Sequence, residues 1–383
     1  MVKRHRIKPL DFEDSGPDLD PAWIDRIQHT LINWFERSSR PMPWRVDRSP
    51  YRVLVSEMML VQTTVAAVTP YFERFVARFP SFAALAEADP DEVLKLWEGL
   101  GYYRRARQLQ EAARTVMRDH QGEMPVDLVQ IQSLPGVGRY IAGAISTFAL
   151  DRTAPILEAN TQRVAARWLA WRGELRAPQS QARFWRLAER VVPSENAGTF
   201  NQAFMELGGV VCTPRTPLCL VCPVADDCRA RSLGLQDSLP VVAAKLPPKL
   251  STEACAIVER DGRRLFVRRG PGRLWESFWE FPTVHVAGAD PAARSFEKPL
   301  ALAEAIRRLS EVRAEVGPIA KAITYSVTTH KVTLQAHLGR FIEGEPRPGH
   351  GMTEAAWLGP EDLSGKSLSS PTRRLLTWLG RDD

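Results

Sequence analysis

Residues 134–140 read Leu-Pro-Gly-Val-Gly-Arg-Tyr and are flanked by segments with helical periodicity. A Pro-Gly-x-Gly turn between helices exposes backbone N–H groups at the start of the next helix, where the helix dipole also favours an anion. Gly136 and Gly138 permit both the tight turn and the close approach of a phosphate. The stretch therefore predicts a helix–turn–helix unit that holds a DNA phosphate, although a plain connection between two helices could use the same residues.

Helical patterns extend over about the first 230 residues. Asp20-Pro21, Ser49-Pro50 and Asp89-Pro90 are typical helix starts, and other helical segments are expected at about 66–79, 104–120, 139–150, 161–171, 179–192 and 200–211. No segment there alternates convincingly with period two. We predict an all-α domain over residues 21–231, preceded by a disordered tail at residues 1–20.

The character of the chain changes after a proline-containing segment. Residues 232–250 carry two adjacent prolines and no apolar periodicity, which indicates a linker. Short β-rich runs and two helical segments follow, at 254–259, 264–268, 325–329 and 332–341 and at about 300–314 and 368–379, with Asp261-Gly262 as a hairpin turn. The expected fold class is thus multi-domain, with an α+β domain over residues 251–383.

Length and composition agree with two soluble globular domains. The chain has 383 residues, 44% of them hydrophobic and 25% charged, and a formal net charge of +6. A mildly basic chain suits a polyanionic partner, and nothing in the sequence suggests a dimer interface. The basic N-terminus and the absence of a long apolar run argue against secretion and membrane insertion, so we expect a cytoplasmic, nucleoid-associated monomer.

Four of the five cysteines are clustered, as Cys212-x6-Cys219-x2-Cys222-x5-Cys228. Four thiolates this close can surround one compact metal centre. A structural zinc is one interpretation, but zinc ribbons usually pair two short C-x2-C units and only one pair is that close here. The spacing resembles the [4Fe–4S] loop of helix-hairpin-helix DNA glycosylases. In that case the cluster would fix a loop that presents Arg215 and Arg229 to DNA.

The chain resembles the adenine DNA glycosylase family, which removes adenine mispaired with 8-oxoguanine. Besides the 134–140 turn and the cysteines, the resemblance rests on four motifs, Leu54-Val-Ser-Glu-Met-Met-Leu-Val-Gln-Thr63, Gly99-Leu-Gly-Tyr-Tyr-Arg104, Pro155-Ile-Leu-Glu-Ala-Asn160 and Asn201-Gln-Ala-Phe-Met-Glu206. It implies a helix-hairpin-helix glycosylase domain with a [4Fe–4S] cluster, a Nudix-like second domain, and double-stranded DNA with A:8-oxoguanine or A:G mispairs as the partner.

Two carboxylates are candidates for the chemistry. Cleavage of an N-glycosidic bond needs a proton on the leaving purine and a negative charge near the cationic sugar. Glu57 lies among apolar neighbours on a predicted helix, which should raise its pKa, and by resemblance it is the general acid. Glu158-Ala159-Asn160 stands where the family has Asp-Gly-Asn. The longer Glu158 either stabilises the cation after a backbone adjustment or makes the enzyme slow or altered in substrate.

Tyr140 separates two reaction types within the superfamily. Bifunctional glycosylase/lyases carry a nucleophilic lysine at this position, whereas the only lysine of the predicted catalytic core is Lys95, which we interpret as solvated. We therefore expect a monofunctional glycosylase without lyase activity, in which water is the final nucleophile and Tyr140 supports the transition state.

The resemblance also implies DNA and base contacts. Tyr102 and Gln62 would insert into the duplex after base flipping, although Tyr102-Tyr103 could be core aromatics and Val61 replaces a second glutamine of the family. Trp44 would stack on adenine, with simple core packing as the alternative. The adenine pocket would be formed by Arg40, Trp44, Arg45, Leu60 and Val65, with Glu206 at the edge of the base.

The second domain resembles a Nudix fold, through the segment from Gly270 to Pro282. The hydrolase motif expected near residues 300–317 lacks its Glu-Glu pair, so we expect no Mg²⁺-dependent pyrophosphatase activity. Thr328-Thr329-His330 aligns with the Phe-Ser-His loop that reads 8-oxoguanine in the family. Hydrogen bonds to the lesion remain available there, but the stacking ring is missing.

Two other functions remain open at this point. The Glu158 and Val61 replacements could mark a thymine or uracil mismatch glycosylase. Alternatively, the chain could be a weakly catalytic protein that binds DNA mismatches or lesions without turnover.

Overall fold

The computed structural model describes residues 20–244, 246–288 and 302–380. The predicted disordered tail lies outside the described residues, except for Asp20. Every named element before residue 233 in the described chain is helical, which confirms the predicted all-α character of this half. The helices are α1 Pro21–Ser38, α2 Pro43–Val46, α3 Pro50–Leu60, α4 Val65–Arg78, α5 Phe82–Glu87, α6 Pro90–Trp97, α7 Arg104–Asp119, α8 Leu128–Ser133, α9 Arg139–Phe148, α10 Ala159–Trp168, α11 Pro178–Val191, α12 Ala197–Glu206, which continues as a π-helix to Val211, and α13 Arg229–Ser232.

The proline-containing helix starts form as predicted, with one difference in capping. The Asp20 carboxylate accepts a hydrogen bond from the Ala22 amide at 3.0 Å, and Asp89 accepts from Asp91 at 2.8 Å. Ser49 precedes α3 without a side-chain cap. The two aspartates therefore satisfy amides that would otherwise lack a partner in the first helical turn.

The predicted helix–turn–helix unit is present. The chain leaves α8, turns through residues 134–138, and enters α9 at Arg139. The Val137 amide donates to the Leu134 carbonyl at 3.0 Å, and Gly136 has a φ of +77°, which L side chains adopt only with strain. Gly138 is exposed at the start of α9, so no side chain covers the backbone there.

One apolar core fixes two of the helices that carry candidate site residues, α10 and α12. Ile27, Leu31 and Phe35 of α1 pack in the same cluster as Trp168 of α10 and Phe204 of α12. The Trp168 and Phe204 rings are stacked with their centroids 4.9 Å apart. Because α10 begins beside Glu158 and α12 ends at Glu206, this packing holds both carboxylates in place.

The C-terminal part contains a mixed sheet, as an α+β domain requires. Its strands are β1 Lys249–Arg260, β2 Arg263–Arg269, β3 Trp279–Glu280, β4 Thr283–Gly288, β5 Arg313–Val327, β6 His330–Glu343 and β7 Met352–Leu358, and its helices are α14 Leu302–Ser310 and α15 Ser370–Leu379. The strand order is β3-β2-β1-β6-β5, with β4 paired to β1 and β7 to β2. Only the β1–β6 pairing is parallel among the described strands.

Two sequence predictions for this part had different outcomes. The Asp261-Gly262 hairpin is confirmed, because Arg260 pairs with Arg263 and both turn residues have positive φ. The helix expected at residues 300–314 ends at Ser310, and residues from Arg313 belong to β5, so the last part of that prediction is wrong. The pairing of β5 with the distant β6 decides the conformation there, and no local pattern reveals it.

Contacts between Cα atoms divide the chain into two compact units. Among the described residues, the first unit contains residues 20–76 and 112–244, and the second contains residues 77–111, 246–288 and 302–380. The first half of the predicted linker packs within the first unit, where Leu239 is buried and Val241 bridges to Glu174. The linear domain boundaries inferred from the sequence stay a prediction.

Candidate active site and iron–sulfur loop

A cavity of about 360 Å³ lies in the first unit and collects most of the predicted site residues. Its walls come from the segment around α2, from α3, from the start of α9 and α10, and from the end of α12. The predicted residues that line it are Arg40, Trp44, Arg45, Glu57, Leu60, Gln62, Val65, Tyr140, Glu158, Asn160 and Glu206. The volume is within the range of small-molecule pockets.

Glu57 is buried in α3, with a relative exposure of 3%, so its predicted apolar surroundings are confirmed. The Tyr140 hydroxyl donates to its Oε2 at 2.5 Å. Burial raises the pKa of Glu57 to about 7, the hydrogen bond from Tyr140 lowers it, and the nearby charge of Glu158 raises it. This carboxyl group can therefore carry a proton near neutral pH.

Glu158 is the N-cap of α10. Its Oε2 accepts from the Asn160 amide at 2.8 Å and its Oε1 from the Thr161 amide at 2.9 Å. The Thr161 hydroxyl in turn accepts from the Glu158 amide at 2.8 Å, which completes a capping box. Burial raises the pKa of Glu158, whereas the two amides, which donate to the charged form, lower it. The carboxylate is thus held in one position.

Tyr140 lies directly after the 134–138 turn, in the first turn of α9. Burial and the charges of Glu57 and Glu158 raise its pKa well above the usual range, so the phenol stays protonated and donates. Among the residues that the structure describes, no lysine lines the cavity. Lys95 lies in α6, where its Nζ donates to the Lys366 carbonyl at 3.2 Å, so it is partnered rather than simply solvated.

Glu206 forms a charged wall of the cavity. It is 3% exposed and pairs with Arg40 (Nε–Oε1, 2.5 Å) and with Arg45 (Nη2–Oε2, 2.9 Å). Burial alone would raise the pKa of Glu206, but the hydrogen bonds from the two arginines lower it. Trp44 lines the same cavity while its ring packs edge-to-face on Phe72 at 5.3 Å, so the core-packing interpretation also holds for part of this side chain.

The remaining predicted residues lie elsewhere in the fold. Gly136 and Gly138 belong to the α8–α9 turn. Tyr102 belongs to the second unit and is 55% exposed, which excludes it as a core aromatic. Thr328 and Thr329 form the two-residue turn of the β5–β6 hairpin and His330 opens β6, because Val327 pairs with His330.

Several cavity residues were not identified from the sequence. Gln202 and Met205 of α12 and Arg48 after α2 also line the cavity. Gln202 lies four residues before Glu206 and therefore on the same helix face, which is the signal that could have identified it. Arg48 stands in a loop with no periodic pattern, and no comparable signal exists for it.

All four clustered cysteines line one small cavity together with Arg167. The buried Arg167 guanidinium donates to the Cys212 thiol at 3.1 Å and to the Thr213 carbonyl at 2.8 Å. Within the described residues no group of His, Cys, Asp or Glu forms a site for a single metal ion. Four thiols that line one common space are a suitable donor set for a thiolate-bound metal centre, and they fit the iron–sulfur cluster that their spacing predicts.

Comparison with known proteins agrees with each part of this description. Residues 55–190 match the HhH-GPD superfamily of base excision DNA repair proteins, residues 212–228 match the iron–sulfur binding domain of endonuclease III, and residues 253–378 match the NUDIX domain. The chain is 31% identical to the human adenine DNA glycosylase, over 93% of its own length and 74% of that protein. The chain belongs to the adenine DNA glycosylase family.

Further similarities extend this assignment. The mouse adenine DNA glycosylase is 32% identical over 94% of this chain and 75% of its own length, and that of Mycolicibacterium smegmatis is 40% identical over 53% and 69%. The structure of a thermostable thymine-DNA glycosylase matches with a TM-score of 0.52 and 29% identity, over 56% of this chain and 100% of that one.

Family membership confirms the predicted activity and cofactor in outline. This adenine DNA glycosylase acts in base excision repair by hydrolysing N-glycosyl bonds, and it carries a [4Fe–4S] cluster. The cysteines at 212, 219, 222 and 228 would hold the cluster, and their four thiolate bonds to it would fix the conformation of the loop. No helix in the described chain is long and apolar enough to cross a membrane.

Proposed function

We propose that this enzyme removes adenine mispaired with 8-oxoguanine or guanine, without cutting the DNA strand. The observation that carries the proposal is the placement of Glu57, Tyr140 and Glu158 in one cavity that is large enough for a purine base. Such a cavity accepts a purine only after the nucleotide has left the helical stack, so base flipping belongs to the proposal.

Glu57 is the proposed general acid. With a pKa of about 7, a substantial fraction of its carboxyl groups is protonated at neutral pH. Tyr140 occupies Oε2 with its hydroxyl, which leaves the other oxygen available to donate to the adenine ring. When the C1′–N9 bond breaks, its electron pair moves into the purine, and the proton from Glu57 makes adenine a neutral leaving group.

Glu158 is the proposed stabiliser of the sugar cation. Its two backbone hydrogen bonds favour the charged form, which is the form that this role needs. Asn160 and Tyr140 complete the surroundings of the reacting sugar. Water then adds to C1′ and gives its proton to Glu57, which restores the acid. Because no lysine lines the cavity, no Schiff base forms and the strand stays intact.

The base would lie between Trp44 and the apolar side chains of Leu60 and Val65. Glu206 would accept hydrogen bonds from the adenine edge, and Arg40 and Arg45 keep this carboxylate ionised and oriented. A fixed ionic acceptor of this kind favours a base with an exocyclic amino group over one with only carbonyls at the same edge.

The remaining residues would hold the DNA. The exposed amides near Gly136 and Gly138 at the start of α9 suit a phosphate. Gln62 and the exposed Tyr102 would replace the stacking lost on base flipping, and the hairpin turn Thr328-Thr329 with His330 would read 8-oxoguanine. Arg215 and Arg229, both exposed, would contact the backbone from the cluster loop.

A thymine mismatch glycosylase is the second candidate, because the helical part of the chain is similar in structure to a thermostable thymine-DNA glycosylase. Single-turnover base release separates the two. We expect rapid adenine release from A:8-oxoguanine and A:G duplexes, with strand breaks only after alkali. Release of thymine from T:G would support the second candidate, and tight binding without release of any base would support a pure mismatch-binding protein.

A further inference from the structure

The loop that presents Tyr102, residues 98–103, has an unusual backbone. Gly99, Gly101 and Tyr102 all have positive φ, at +105°, +74° and +48°. Two hydrogen bonds inside the loop hold this shape, from the Trp97 indole to the Gly101 carbonyl at 3.1 Å and from the Gly99 amide to the Tyr103 hydroxyl at 3.3 Å. A tyrosine in the left-handed region is strained, so packing around the loop must hold it there.

That packing is supplied by the C-terminal sheet domain, because residues 77–111 form one compact unit with the described residues from 246 onward. At the start of the loop, both oxygens of Glu98 accept hydrogen bonds from Arg373 of α15. At its end, the Tyr103 ring packs against the buried Phe278 with centroids 4.4 Å apart. The loop is therefore held on both sides of Tyr102.

The flanking helices are attached to the same domain. Lys95 of α6 donates to the Lys366 carbonyl at 3.2 Å, and Arg107 of α7 donates to the Glu276 carbonyl at 3.0 Å. The Thr328-Thr329 hairpin turn belongs to this unit as well. The exposed tyrosine and the hairpin turn are thus carried by one compact body, although more than 200 residues separate them in the sequence.

We propose that Arg373 and Phe278 are positioning residues for Tyr102, so that the domain that reads the lesion also holds the side chain that opens the duplex. This inference rests on the proposed insertion of Tyr102 into DNA. It predicts that a mispair recognised by the C-terminal domain is opened faster than one contacted by the helical domain alone. The reason is that the same compact unit recognises the lesion and inserts Tyr102 into the duplex.

The test is a double-mutant cycle in the full-length holoenzyme. The duplex carries A:8-oxoguanine with 2-aminopurine beside the adenine, and stopped-flow fluorescence reports unstacking while quenched samples report base release. Tyr102→Ala and Arg373→Gln should each slow unstacking by about tenfold, and the double variant should be no slower than Tyr102→Ala alone. Phe278→Leu should resemble Arg373→Gln.

Arg340→Gln is the matched control. It removes an equal charge from the same unit, from an exposed ion pair with Glu315, and should change unstacking less than twofold. The thermal midpoints of all variants identify any loss of folding. A general loss of stability caused by removing one arginine would slow Arg340→Gln and Arg373→Gln alike.

The outcomes distinguish a failure of the proposed Tyr102 insertion from a failure of the positioning role alone. An unchanged unstacking rate in Tyr102→Ala would overturn the insertion of this tyrosine into DNA. The positioning role of Arg373 and Phe278, which rests on that insertion, would be overturned with it. Slow unstacking in Tyr102→Ala with a normal rate in Arg373→Gln, or multiplicative losses in the double variant, would overturn the positioning role alone.

Discussion

Replacing Tyr140 by Phe should shift the pH dependence of base release to higher pH. The hydroxyl donates to Glu57 at 2.5 Å and stabilises the charged carboxylate, so its loss raises the pKa of Glu57 above the present value of about 7. A hydrogen bond to a charged group contributes about 1.5–3 kcal/mol. At 1.36 kcal/mol per pH unit, the expected shift is about 1–2 units.

The sign follows from the proposed role of Glu57. As a general acid it must be protonated, so the wild-type rate should fall as the pH rises through about 7. In Tyr140→Phe this fall should move to higher pH, while the maximal rate decreases because the phenol no longer contacts the reacting groups. The measurement is the single-turnover rate of adenine release from pH 5 to 9. Tyr51→Phe is the control, since Tyr51 is buried in α3, the helix that carries Glu57, but does not line the cavity.

An unshifted profile with a reduced rate would refute this reasoning, because Tyr140 would then act on the substrate without affecting the proton on Glu57. A wild-type rate that is constant across this range would refute the assignment of Glu57 as the acid.

Three further predictions follow from the second carboxylate and the cluster loop. Glu158→Gln should lower the single-turnover rate at least about 100-fold, because it removes the charge and keeps the shape of the side chain. The affinity for the duplex, measured by fluorescence anisotropy, should change only a few-fold. Equal losses in rate and affinity would contradict a role in the transition state. Thr161→Val should lower both the rate and the free energy of unfolding, the latter by about 1 kcal/mol, and Thr161→Ser should restore both, since only the hydroxyl closes the capping box on Glu158; a slow Ser variant would assign the effect to the methyl group. Cys222→Ala should reduce bound iron and the thermal midpoint together, as measured by metal analysis and calorimetry, whereas Cys255→Ala, in the sheet core, should keep its iron; full iron content in Cys222→Ala would contradict its role as a ligand.

The parts of the site that were predictable lie on single elements. The surroundings of Glu57 follow from its apolar neighbours on α3, and the α8–α9 turn follows from its glycines. The ion pairs of Glu206 could not be predicted in this way, because Arg40 lies 166 residues away and no local pattern indicates which cation reaches a buried carboxylate. β5 was partly misassigned for the same reason, since its partner strand determines its conformation.

The grouping of residues 77–111 with the C-terminal part was equally unpredictable. The amphipathic pattern of α6 identifies its buried face, with Val93, Leu94 and Trp97, but does not identify the residues that cover that face. The charged residues of α6 do not identify their partners from the sequence. The structure shows that Asp91 pairs with Arg268 of the sheet. A division of the chain by composition places these residues with their sequence neighbours, whereas their contacts place them with the sheet.

Glu158, which stands where the family has Asp, places a longer carboxylate side chain at the candidate site. From the sequence, the longer Glu158 either stabilises the cation after a backbone adjustment or makes the enzyme slow or altered in substrate, since a free Glu side chain has one more rotatable bond than Asp. Here both carboxylate oxygens are held by backbone amides of α10, and the Thr161 hydroxyl fixes the Glu158 backbone in return. The additional freedom is therefore removed by the capping box, and the negative charge lies at the positive end of a helix dipole. That placement opposes the rise in pKa that burial causes at Glu158, so it favours the charged form that the proposed role beside a sugar cation needs.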